Sequence, residues 1–248
     1  MEKREEWLAR AFVELADTRP GELDLESLLA TLATRCSELL GECEVGAAIA
    51  DDRGGLRVVA ASSERMKVLQ QFELQNDEGP CLDAYRSRAQ VLNQELERCG
   101  ERWPTFAAMA RVVGYFAVSA LPMRRHEELV GSVGVFLTTM RELSPQEVLL
   151  TQALVDATTS AVLREREVLR TADLAHQLQT ALETRVAIEQ AKGVLAERLR
   201  LDTDEAFALI RGYARRHNRK MAEIAQGIVD GSLSVGNPRP AESTPRTP

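Results

Sequence analysis

The sequence predicts an α+β protein in three parts: an antiparallel sheet with helices, a long coiled-coil helix, and a C-terminal three-helix bundle. Three observations carry this reading. Between Glu44 and Leu137 short apolar runs alternate with helical patterns and polar turns, and close in an antiparallel pair. Between Pro145 and Leu199 there is no further proline, and apolar residues recur every seven positions. From Arg185 to Asp230 three short amphipathic patterns follow one another with almost no connecting chain.

Residues 2–17 read as an amphipathic helix with Trp7, Leu8, Phe12 and Leu15 on one face, broken at Arg19-Pro20-Gly21. Asp24 caps a second helix, which runs to about Leu40 and stops at Gly41. VGAAIA is then an apolar strand, Asp51–Gly55 a turn, and LRVVAAS a second strand. A helix follows around Glu64–Phe72. Gly79-Pro80 opens a short helix leading to a strand at Val91-Leu92, and Glu101–Val113 is a further helix carrying Trp103, Pro104 and Phe106. Strands at Tyr115–Met123 and Leu129–Leu137 close the sheet across a polar turn, Arg124–Glu128. The expected limits are 1–23 for an N-terminal helix and 24–143 for the sheet domain.

Ser144 caps the long helix and Pro145 takes its first position. Leu154, Ala161, Val168, Ala175 and Leu182 stand at heptad spacing, with Ala157, Arg164, Thr171, Leu178 and Arg185 as a half-polar second seam. An isolated helix of this length exposes too much apolar surface, so a parallel dimer through residues 144–184 is expected. The alternative is a helix folded back on the sheet. His176 is followed by Gln177 rather than an acidic residue, so it reads as a solvated side chain, not a phosphorylated one.

The bundle is expected over residues 185–231. Its first face is Ile188, Ala191, Leu195 and Leu199. Asp202 stands three residues before Glu205, a capping box that opens the second helix, whose face is Ala206, Phe207, Ile210 and Ala214. Phe207 and Tyr213 read as core. Asn218 opens a third helix with Met221, Ile224, Ala225 and Ile228 inward, and Gly231 sits at its C′ position. Residues 232–248, rich in Pro, Ser and Thr, are expected to form a disordered tail.

The chain carries a net charge of −7, yet Arg185–Lys220 holds nine Lys/Arg against five acids, and Arg211–Lys220 holds five bases and no acid. A basic module on an acidic protein points to a polyanion; the alternative is a solvated helix face. Enzymatic readings lack parts: there is no phosphate-cradling glycine loop followed by lysine, no nucleophile elbow and no plausible carboxylate pair. Cys36, Cys43, Cys81 and Cys99 show no C-x2-C spacing and the three histidines are scattered, so no metal or cofactor is expected. Cys81 as a redox sensor is a minor alternative. No segment is long and apolar enough for a membrane span and MEKREEWLAR lacks a signal-peptide core, so a cytoplasmic protein without membrane contact is expected.

Lys192 and Gly193 hold the most information. A glycine inside an exposed helix costs about 1 kcal/mol against alanine, and close approach of another backbone is the usual compensation. Lys192 stands about 40° from Ile188, at the margin of the apolar face, with Ala196 one turn on. A nucleotide backbone fits such a hollow; so does a neighbouring helix.

E-Q-A-K-G-V-L, D-E-A-F-A-L-I-R-G-Y-A and H-N-R-K-M-A-E-I-A together resemble an ANTAR domain, a three-helix RNA-binding module of bacterial transcription antiterminators. G-P-C-L-D-A, W-P-x-F and S-A-L-P-M…G-S-V-G-V-F resemble a GAF domain. The resemblance implies a dimeric antiterminator that grips two RNA stem-loops with short loops, one per protomer, with the GAF domain as sensor or dimerisation module. On the sequence, the implied RNA contacts are Gln190, Ala191, Lys192, Gly193, Ala196, Arg211, Arg215, Arg216, Arg219 and Lys220. Cys81, Trp103 and Phe106 are candidates for lining a small-molecule GAF pocket, and Cys81 and Asp83 lie where a helix start can hold an anion. Two alternatives remain: a helix-turn-helix-like DNA-binding regulator, and a GAF small-molecule sensor whose C-terminal module binds a protein.

Overall fold

The computed structural model describes residues 4–19, 21–51 and 54–236. The chain divides into two compact units, Met1–Leu169 and Arg170–Pro248, the division falling inside a long helix. The elements of the first unit are α1 (Arg4–Ala16), α2 (Leu25–Leu40), β1 (Cys43–Ala50), β2 (Leu56–Ala61), α3 (Glu64–Asn76), α4 (Pro80–Ser87), β3 (Val91–Glu95), α5 (Pro104–Val112), β4 (Ala117–Arg125), β5 (Glu128–Leu137) and the opening turns of α6 (Pro145–Leu199). The five strands form one antiparallel sheet in the order β2-β1-β5-β4-β3.

Both faces of this sheet are covered, which is why the central strand β5 reads as an almost unbroken apolar run. Successive side chains alternate across the sheet. Val45, Ala47, Ile49, Leu121, Val133 and Val135 join α1 and α2 in one core. Val118, Ala120 and Phe136 join Met66, Leu69, Cys81, Trp103 and Phe106 from the opposite layer of helices. A Cβ on Gly134 would meet Cys81 Sγ at 2.7 Å, so glycine is what lets α4 pack this close.

Local caps set the element ends. Asp24 accepts from Glu26 N at 3.1 Å at the start of α2, and Gly41 (φ 61) ends it. Ser144 and Glu147 form a reciprocal cap on α6, with Ser144 N donating to Glu147 at 2.7 Å and Glu147 N donating to Ser144 Oγ at 3.2 Å. The expected helix over 101–113 starts later, at Pro104, because proline fits the first helical position. Trp103 therefore lies ahead of the helix, and Leu96–Arg98 forms a 3-10 turn that no pattern announced. The expected strand at Val91-Leu92 extends to Glu95 with a bulge at Asn93 (φ 49). The Asn93 side chain accepts from Leu143 N at 2.9 Å and donates to Leu143 O at 3.0 Å.

The heptad seam is corrected at its start. Leu154 and Ala161 are 0% and 1% exposed in the core of the first unit, so the fold-back alternative holds for the opening turns of α6. Further along, Leu178 and Leu182 are 63% and 57% exposed, leaving that stripe bare in a single chain. Among the described residues no helix is long and apolar enough to cross a membrane.

The second unit holds the remainder of α6, α7 (Thr203–Arg216) and α8 (Met221–Val229). The first residues of the expected tail belong to the bundle instead: Leu233 N donates to Gly227 O at 2.7 Å and Val235 is buried in the bundle core. Residues 237–248 lie outside the described ones.

Candidate nucleic-acid interface

Three rows of apolar residues close the bundle: Ala187, Ala191 and Leu195 from α6, Ala206, Ile210 and Ala214 from α7, and Ile224, Ala225 and Ile228 from α8. The spacing of four within α6 and α7 keeps each row on one face, and the alanines let the helices approach closely. Asp202 accepts from Asp204 N at 2.9 Å and Glu205 N at 2.7 Å, while Glu205 accepts from Asp202 N at 3.1 Å, the expected capping box.

The turn between α7 and α8 departs from expectation. Asn218 does not open α8; it closes α7. Its φ is 49, Asn218 N donates to Arg215 O at 3.3 Å, and Arg219 N donates to Ala214 O at 3.0 Å. This is a Schellman end, in which a left-handed residue satisfies the last carbonyls. Lys220 then begins α8 without a side-chain cap. The consequence is a tight turn that leaves Arg215, Arg216, His217, Arg219 and Lys220 exposed together.

Among the described residues, the side chains of Arg211, Arg215 and Lys220 have no hydrogen-bond or ion-pair partner. Arg216 Nε donates to Gly212 O at 3.4 Å, and Arg219 pairs with Glu223 at 3.4 Å across half-exposed side chains. A surface pair of that kind contributes little and is easily exchanged for a phosphate. His217 lies flat on Tyr213, ring centroids 3.9 Å apart and planes 20° apart.

The residues singled out on α6 are arranged differently. Lys192 Nζ pairs with Glu189 at 2.8 Å and stands 6.0 Å from the centre of the Phe207 ring. Its charge therefore ties α6 to α7 as much as it faces outward. Ala191 is fully buried and offers no surface to a ligand. Gly193 is exposed, about 200° around the helix from Ala191. A Cβ there would meet nothing within 4 Å, so no neighbouring helix among the described residues explains the glycine. Glu189 and Glu197 flank it one turn either side, Gln190 is exposed and Ala196 half-buried. The α7–α8 turn is thus uniformly basic, and the outer face of α6 is mixed.

In the first unit Cys81, Trp103 and Phe106 share one buried cluster, 1%, 1% and 0% exposed. Trp103 and Phe106 meet edge to face at 6.0 Å, and Trp103 Nε1 donates to Asp83 at 3.1 Å. None of the three lines the groove of about 810 Å³ bordered by Val112, Tyr115, Phe116 and Met140. The start of α4, expected as a place for an anion, is filled from within. Gly79 has no side chain to cap it, so Glu73 of α3 reaches across and accepts from Cys81 N at 2.6 Å and Leu82 N at 3.2 Å. Burial pushes the Glu73 carboxyl up to about 8, outweighing those two bonds, and burial likewise raises the Cys81 thiol. Gln70 Oε1, Glu73 Oε2 and Ser132 Oγ are buried without a partner among the described residues. Sequence reasoning missed Glu73; the capless Gly79-Pro80 helix start was the signal that an acceptor had to come from elsewhere.

The family described as GAF domain matches residues 22–163, and the family described as ANTAR domain matches residues 176–229. No curated protein matches the chain. Among solved structures, the GAF domain of an Acinetobacter phosphoenolpyruvate-protein phosphotransferase superposes with a TM-score of 0.53 at 12% identity, covering 68% of this chain and 98% of that one. The corresponding GAF domain from Coxiella burnetii gives 0.51 at 15% identity, covering 66% and 94%. Free methionine-R-sulfoxide reductase from Neisseria meningitidis, in complex with its substrate, also gives 0.51 at 15% identity, covering 66% and 90%. At these identities the likeness shows the fold alone. The chain belongs to the GAF domain family through residues 22–163 and carries an ANTAR domain over residues 176–229.

Proposed function

We propose that the chain is a regulator that binds RNA and antiterminates transcription, acting as a dimer in which each ANTAR domain takes one stem-loop of a pair. The observation that carries this reading is the turn between α7 and α8. Five cations lie within Arg211–Lys220 with no acid among them, and three have no partner among the described residues. Such a surface suits phosphate oxygens, which supply affinity and register, while loop bases supply sequence. The bare stripe around Leu178 and Leu182 supports pairing of two α6 helices. Two modest sites joined in this way bind far more tightly than either alone when their spacing fits. The GAF domain is then the sensor or an additional dimer contact. We assign it no catalysis: Cys81 is buried and its thiol is raised by burial, the reverse of an activated nucleophile.

The test is a gel shift of the full chain with a two-hairpin RNA, a single hairpin and duplex DNA. The paired hairpins should bind most tightly. Five phosphate contacts lower affinity about a hundredfold between about 50 and 200 mM salt. Equal binding of duplex DNA favours the helix-turn-helix alternative, and no binding of any nucleic acid at low salt favours a protein partner.

A further inference from the structure

The basic turn explains affinity without explaining what the domain reads. Resting on the RNA-binding reading above, we infer that His217, backed by Tyr213, is a stacking platform for one unpaired nucleobase of the RNA loop. Three aromatic side chains lie within residues 185–231: Phe207, Tyr213 and His217. Phe207 is half-buried with the Lys192 ammonium 6.0 Å from its ring centre. Tyr213 is half-buried at the edge of the bundle core, with His217 stacked on it. His217 is exposed, so it is the ring that turns an open face outward.

That ring is held before any ligand arrives. Its Nδ1 lies 2.9 Å from the Tyr213 carbonyl, which can accept but not donate, so Nδ1 carries the proton. The bond and the parallel stack at 3.9 Å fix the imidazole plane, and the left-handed Asn218 stops the helix right behind it. A base landing on a preset ring loses little ordering entropy to the protein side. With Nδ1 occupied, Nε2 is the ring nitrogen left for a hydrogen bond to a base or a ribose hydroxyl. Arg215, Arg216, Arg219 and Lys220 surround it, placed to hold the phosphates on either side of a splayed nucleotide.

The experiment uses the full-length protein and an RNA hairpin that it binds. His217→Ala should lower affinity by about five- to a hundredfold, the range of one base–aromatic stack, with the salt dependence unchanged. His217→Phe, which keeps the flat face, should restore most of it. Replacing loop nucleotides one at a time by abasic sites should find one position whose loss weakens wild type but not the alanine variant. Arg215→Ala serves as the contrast, flattening the salt slope by about one phosphate contact. Unchanged binding by His217→Ala, a flatter salt slope in it, or failure of phenylalanine to rescue would each overturn the platform. If Arg215→Ala weakens binding while His217→Ala does not, RNA binding stands and the platform falls. If wild type binds no hairpin, both fall.

Discussion

The carboxyl of Glu73 makes the stability of the first unit depend on pH in an unusual direction. Its ordinary value of 4.5 is pushed up to about 8 because the group is fully buried, with one oxygen capping α4 and the other unpartnered among the described residues. Folding therefore retains a proton that the unfolded chain releases. Stability from this group is complete below about pH 4.5 and is lost as pH rises towards 8. At 1.36 kcal/mol per pH unit the span corresponds to about 5 kcal/mol, an upper bound because the ionised native state can relax around the charge. Glu73→Gln keeps an oxygen for Cys81 N and Leu82 N and has no proton to lose, so its stability should be flat across the window. Both tryptophans of the chain, Trp7 and Trp103, lie in the first unit, so urea unfolding followed by tryptophan fluorescence isolates it. Wild type should lose several kcal/mol between pH 5 and pH 8.5 relative to the glutamine variant. Parallel pH profiles for the two proteins would refute the assignment of a neutral Glu73.

Two further outcomes follow from α6. Gly193→Ala should raise the melting temperature of the second unit, by the equivalent of about 0.5–1 kcal/mol, since the new methyl meets nothing and helical entropy favours alanine. The same variant should bind RNA more weakly if the bare backbone is a contact, so circular dichroism and gel shift read opposite signs. Replacing both Leu178 and Leu182 by aspartate removes two exposed apolar side chains from the stripe and should convert a dimer to monomer in sedimentation velocity. In that variant single-hairpin affinity should persist while the advantage of the paired hairpin disappears.

Much of this architecture is visible in the sequence because its signals are local. Asp24, Ser144 and Asp202 cap their helices through neighbours two or three residues away, so each start is written beside it. Asn218 was ambiguous for a physical reason: asparagine suits both a helix start and a left-handed helix end. Leu154 and Ala161 show the limit of a heptad pattern, which marks an apolar stripe without saying whether sheet or second copy covers it. The role of Glu73 depends on a chain reversal between α3 and α4: the sequence shows the missing cap at Gly79 but not which side chain supplies it. In the interface, the basic run was legible from charge alone. The burial of Ala191 followed from its own face in the pattern, and the Glu189–Lys192 spacing of three already implied a neutralised lysine. His217 stands four residues after Tyr213, the spacing that brings two rings together on a helix, and that spacing was its one signal.

The bulge at Asn93 has a consequence for aggregation along that edge of the sheet. A straight outer strand would present a row of free amides on which another chain could polymerise. Here β3 is kinked in its middle and its asparagine amide is clasped to the main chain of Leu143, so the margin of the sheet makes a poor template for fibrous growth.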